Sequence, residues 1–84
     1  MIPKIIHYCW FGNGAMPELV ERCIASWKTY MPEWDFHLWS EENFDITSAP
    51  QYVREAYAAK KYAFVSDYVR IQALNQYGGV YFDT

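Results

Sequence analysis

The sequence predicts an α/β fold in the order β-α-β-α-α-β, and three observations carry that reading. Strand-like apolar runs occur at residues 4–11, 34–39 and 80–82. Segments with helical spacing of apolar side chains lie between them, and glycine or proline stands at the junctions. Strands that alternate with helical segments are the pattern of an α/β sheet.

The first run is β-branched and aromatic and stops at Gly12-Asn13-Gly14, which reads as a strand followed by a tight turn. Pro17 suits the first turn of a helix, where its missing N–H costs nothing, and Glu18 and Glu21 complement the positive helix end. Val20, Cys23, Ile24, Trp27 and Met31 recur at three- and four-residue steps, so this helix is amphipathic, and Pro32 limits it. In the second strand Trp34, Phe36 and Leu38 alternate with Asp35, His37 and Trp39, the pattern of a half-buried strand. Ser40-Glu41-Glu42-Asn43 supplies a turn, and Ser48 with Pro50 opens a helical stretch toward Lys60. A longer helix is expected over residues 61–77, closed by Gly78, with Gly79 turning the chain into the last strand.

Composition narrows the function classes. At 84 residues the chain holds one small domain, yet 52% of it is hydrophobic and 20% aromatic. A domain this short buries only about 60% of its unfolded surface, so several rings must face outward. An apolar chain ending in a strand reads as part of a larger fold with an open sheet edge, through which it is expected to self-associate. The net charge of -3 is spread without a basic cluster, which argues against nucleic acid as a partner. The N-terminus lacks the pattern of a signal peptide, and no apolar run approaches the ~20 residues of a membrane span. The expected location is cytoplasmic, either free or peripheral at the inner membrane face. Cys9 and Cys23 lack metal-ligand spacing and read as buried, reduced thiols.

The chemistry-bearing residues are few. Between Tyr62 and Phe82 only Asp67 and Arg70 are charged, three apart and on one helix face. At about 100° per residue they share an arc with Ala63, Phe64, Ile71, Leu74 and Tyr77, with Val65 and Val69 opposite, so the helix is expected to be buried all round. A charge in such a place must be paired or face a polar cleft. Two explanations stand: a structural ion pair, or an acid and a cation aimed at an anionic ligand. Asp83 closes the last strand, where α/β sheets bind ligands, although an Asp there also suits a plain turn. Trp10 ends the first strand beside Gly12, either as core or as a flat surface for a nucleobase. His7 reads as a hydrogen-bonded structural histidine and His37 as a surface strand residue. The excess of Tyr and Trp fits either core packing or a sugar-stacking platform.

Three segments carry a resemblance. They are Ile2-Pro3-Lys4-Ile5-Ile6-His7-Tyr8-Cys9-Trp10-Phe11-Gly12, then Ala63-Phe64-Val65-Ser66-Asp67-Tyr68-Val69-Arg70, then Tyr77-Gly78-Gly79-Val80-Tyr81-Phe82-Asp83. Together they resemble the glycosyltransferases with a DXD sugar-binding region, a group that includes capsular polysaccharide synthesis enzymes, fungal initiating mannosyltransferases and, distantly, the clostridial glucosylating toxins. The resemblance implies a GT-A-like, Rossmann-like nucleotide-sugar-binding fold, truncated here after the third strand. Residues 1–84 would be its N-terminal, donor-binding part. It further implies transfer from a nucleotide-sugar donor to a saccharide acceptor, usually with retention and with Mn²⁺ or Mg²⁺, as in capsular or surface polysaccharide synthesis.

By this resemblance Trp10 stacks on the donor base, next to Phe11 and Gly12. Asp67 holds donor-sugar hydroxyls, Arg70 contacts sugar and phosphate, and these two are the catalytic candidates. Tyr81 contacts the donor, and Asp83 is the first, metal-binding Asp of DXD. The family pattern has a second Asp after Asp83 and Thr84, beyond the sequence in hand, and the 84-residue chain by itself is therefore expected to be inactive. Two readings from other classes compete with glycosyl transfer: a metal-free carbohydrate- or nucleotide-binding module, and a structural fragment that associates through its sheet edge.

Overall fold

The three strand-like runs form one parallel sheet in the order β2-β1-β3, with β1 (Ile5–Cys9) between β2 (Asp35–Trp39) and β3 (Val80–Tyr81). This computed structural model describes residues 2–12 and 14–83. Asn13 of the expected Gly12-Asn13-Gly14 turn, and Thr84 after Asp83, lie outside the described residues. Helix α1 (Glu18–Tyr30) connects β1 to β2; a 3-10 turn (Ile46–Ser48), α2 (Gln51–Ala58) and α3 (Tyr62–Tyr77) connect β2 to β3. Pro17 and Pro50 stand at the N-caps of α1 and α2, as a residue without an N–H can at no hydrogen-bonding cost.

Strand alternation sorts the sheet's two faces. His7 pairs with His37 and Tyr81, and Cys9 with Trp39, so these side chains share the face covered by α3. Tyr8 and Phe82 meet the Trp27 ring of α1 on the other face, at 5.8 and 5.1 Å between centroids. The main core lies on the α3 side, where Cys9, Phe11, Trp39, Ala49, Val53, Val65, Val69 and Ala73 pack together.

His7 is fully buried and has a hydrogen-bond partner on each ring nitrogen. Its Nδ1 accepts from Trp39 Nε1 at 3.0 Å, which leaves Nε2–H to donate to the Gly78 carbonyl at 2.9 Å. The structural role expected for His7 is thus what the structure shows. The bond to Gly78 also fixes the joint where α3 turns into β3. Gly78 and Gly79 both hold positive φ there, and a Cβ on Gly79 would lie 2.4 Å from the Ile5 carbonyl oxygen.

Three expectations need correction. First, α3 is not buried all round: Val65, Val69 and Ala73 face the core, whereas Phe64 is 65% and Ile71 59% exposed. Ala63, Asp67 and Tyr77 are also exposed, so the arc that carries the charged pair is the open face of the helix. The reason is that β1 and α2 cover only one side of α3. Second, Cys23 is exposed, because the face that α1 turns inward is centred on Ile24 and Trp27. Third, His37 is half-buried rather than a surface residue, stacked on Trp39 at 4.3 Å and 11°.

Candidate functional site

Because the three strands are parallel, residues 10–12, 40–41 and 82–83 all emerge at one edge of the sheet. The first turns of α3 lie over that edge. Between them is a cleft of about 480 Å³ lined by Cys9, Trp10, Phe11, Gly12, Gly14, Tyr62, Ala63 and Ser66. Trp10 is half-buried, and its indole Nε1–H donates to the Gly14 carbonyl at 3.0 Å, which ties down the polar edge of the ring. Trp10 thus lines the cleft and is not part of the buried core. Phe11 is buried, edge-on to Phe44 at 6.3 Å, and belongs both to the core and to the cleft lining.

Gly12 has φ +112°, which L side chains rarely adopt, and a Cβ there would come within 2.8 Å of the Tyr62 ring. Tyr62 and Ser66 line the cleft as well, with no motif of their own to mark them. Ser66 lies inside one of the recognisable segments, and Tyr62 opens a helix that begins at the strands' carboxyl ends. That placement is the signal by which both could have been found.

At the cleft's inner end a small polar group joins β1, β3 and α3. Burial pushes the Cys9 thiol up to about 11, against the pull of hydrogen bonds from Tyr81 and Ser66 and with Asp83 adding to the rise. The Tyr81 hydroxyl is likewise raised, by burial first, then by Cys9 and Asp83, while Arg70 pulls it down. Burial thus favours the protonated form of both groups, with the Tyr81 hydroxyl donating to the Cys9 sulfur. The Arg70 guanidinium sits 5.7 Å from the centroid of the Tyr81 ring.

Among the described residues no ion pair within 4 Å joins Arg70 to Asp67 or to any other carboxylate. The structural ion pair, one of the two explanations for these residues, does not form. Asp67 points its carboxylate from the open face of α3, one residue beyond the cleft-lining Ser66. The structure thus gathers Trp10, Phe11 and Gly12 around one cleft and Arg70, Tyr81 and Asp83 near its inner end, with Cys9 shared by both groups. Asp67 stands outside both. Asp83 is exposed, and among the described residues no three His, Cys, Asp or Glu side chains form a ready-made metal cluster. One open carboxylate suits a cation that keeps most of its shell as water and phosphate oxygens, as Mg²⁺ and Mn²⁺ do.

The model of the family described as capsular polysaccharide synthesis protein matches residues 1–84. No curated protein and no solved structure matches the chain.

Proposed function

Because this chain belongs to the capsular polysaccharide synthesis protein family, we propose that its cleft binds the nucleotide-sugar donor of a glycosyltransferase that builds capsule. The observation that carries this reading is Arg70, a half-buried cation with no carboxylate partner among the described residues. A cation in that position favours an anionic ligand, and a guanidinium matches a diphosphate in a bidentate way. The Trp10 indole face would hold the base, and Gly12, having no side chain, lets the ligand approach the backbone. Asp67, exposed on α3 beside the cleft, would accept hydrogen bonds from sugar hydroxyls that extend past the cleft lining. The Arg70 guanidinium, over the Tyr81 ring, would donate to phosphate oxygens and offset the negative charge that develops on the leaving diphosphate. Asp83 would hold Mn²⁺ or Mg²⁺ together with those phosphates. When bound, such an ion supplies further charge neutralisation at the leaving group.

The test is a titration of the ¹⁵N-labelled chain with UDP, GDP and their parent nucleosides, with and without Mn²⁺ for affinity and with Mg²⁺ for spectra. Shifts are expected at the Trp10 indole, Gly12 and Arg70. Arg70→Ala should weaken diphosphate binding by roughly tenfold or more, the loss expected for one charge-assisted contact, and leave nucleoside binding little changed. Trp10→Ala should weaken both. Equal effects of Arg70→Ala on nucleoside and diphosphate would remove the phosphate contact. Metal-independent binding of a plain oligosaccharide, with no nucleotide response, would favour a carbohydrate-binding module instead.

A further inference from the structure

Gly12, in the wall of the cleft, is held by residues that the donor-binding reading does not use. The Gly12 backbone N–H donates to Glu41 Oε2, and the same oxygen accepts the Tyr57 hydroxyl at 2.9 Å. Tyr57 in turn packs edge-on against Tyr62, 5.6 Å between centroids and 66° between planes. The Tyr62 ring lies directly against Gly12, leaving no room for a Cβ. The chain of contacts closes on itself, from Gly12 to Glu41 to Tyr57 to Tyr62 and back. It links the turn after β2 and α2 to the two segments that wall the cleft, the residues after β1 and the start of α3.

We propose that Glu41 is the positioning residue of this cleft: held by Tyr57, its carboxylate fixes the Gly12 turn and, through that turn, the orientation of the Trp10 indole. The ligand part of the inference rests on the nucleotide-donor reading; the clamp itself does not. An acid just past the second strand is where doubly wound sheets hold a ribose hydroxyl. Here one oxygen of that acid is already engaged by Gly12 and Tyr57, which makes it a strut within the chain. The chemistry suits the task. A carboxylate accepts from an N–H and an O–H at once, and charge-assisted bonds are the stronger kind. The Glu41 hydrogen bond also raises the Tyr57 hydroxyl, which keeps it protonated as the donor. Glycine is needed because the turn holds φ +112° with an aromatic ring against its Cα. The Trp10 indole N–H is itself bonded to the Gly14 carbonyl, so its orientation depends on backbone beside Gly12.

The clamp is tested without any ligand, by NMR of the 84-residue chain. Tyr57→Phe removes one hydroxyl, and Glu41→Ala removes the carboxylate. Both should move the Gly12 amide and the Trp10 indole N–H signals, and the double variant should move them no further than Glu41→Ala alone. The Trp39 indole N–H, bonded to buried His7, reports that the fold is intact and should not move. Unmoved Gly12 and Trp10 signals in both variants, with Trp39 in place, would overturn the clamp. The second arm measures UDP and GDP affinity with Mn²⁺. Tyr57→Phe should weaken binding roughly fivefold, the scale of one modest hydrogen bond, with rescue of neither probe by added metal. If the native chain binds neither nucleotide, the donor-binding reading fails and the ligand part of this inference fails with it, while the indole and amide shifts decide the clamp. If Tyr57→Phe shifts those signals but binds as tightly as the native chain, Glu41 shapes the loop without positioning a ligand, and the inference is overturned.

Discussion

Gly79 and Gly12 both hold a positive φ, but what surrounds them differs. A Cβ on Gly79 would meet a backbone oxygen, that of Ile5 in the central strand, which has nowhere to go. A Cβ on Gly12 would meet the edge of a side-chain ring, Tyr62, which can tilt. Gly79→Ala is therefore expected to cost about 3 kcal/mol in urea unfolding, and Gly12→Ala about 1–2 kcal/mol, from backbone strain with and without an immovable clash. The second variant should close the cleft more than it unsettles the fold. His37 adds a pH dependence. Burial first, and neighbouring His7 second, hold its imidazole below the ordinary 6.5. The folded chain thus favours the neutral ring. The stability that follows is complete above pH ~6.5 and is lost as pH falls through the lowered folded value. Unfolding free energy should drop between pH 7 and 5, above the range where ordinary carboxylates titrate, and His37→Gln should flatten that part of the profile. A native profile already flat there would show that His37 does not sense the fold.

Helix α3 shows what the sequence could and could not reveal about an element. Its limits were legible, since Gly78 marks the C-terminus and residues 61–77 bracket the observed Tyr62–Tyr77. Its inward face was not. Val65, Val69 and Ala73 are fewer and smaller than the competing set of Phe64, Ile71, Leu74 and Tyr77, so an apolar count alone points outward. Small residues face inward because α3 lies against the sheet, where His7 of the central strand and Trp39 of β2 already fill the space. Asp67 and Arg70 were legible as chemistry-bearing residues because they are the only charges in the segment between Tyr62 and Phe82. Arg70's place over Tyr81 depends on how β3 returns beside β1, which a single helix cannot encode. Glu41 is legible only as turn chemistry, for the same reason: its partners come from other segments. Val69→Ala is expected to cost about 1–2 kcal/mol as a buried truncation, whereas Ile71→Ser should stay within about 0.5 kcal/mol of native. Equal losses at the two positions in urea titrations would mean that the open face of α3 is covered in solution.

At the scale of the whole molecule the chain is a thin slab of 37 × 32 × 17 Å. It exposes 5818 Å², against about 5,200 Å² for a typical monomer of its mass. The excess has identifiable owners in Leu19, Tyr30, Tyr52, Phe64 and Ile71, and among the described residues β3 has a strand on one side only. Both features favour self-association, because an open edge offers unpaired backbone groups and exposed apolar area is released from water on contact. The melting temperature should then rise with protein concentration, since association stabilises only the folded chain. Calorimetry over a hundredfold concentration range checks this directly. A constant Tm together with a single monomeric species in sedimentation would remove the association. Nucleotide binding also raises Tm, but by a term set by ligand concentration over Kd rather than by protein concentration. The two effects separate cleanly. The nucleotide-dependent rise should shrink in Arg70→Ala, and the protein-dependent rise should survive it, because Arg70 lies at the cleft while the association draws on the sheet edge and the exposed apolar faces.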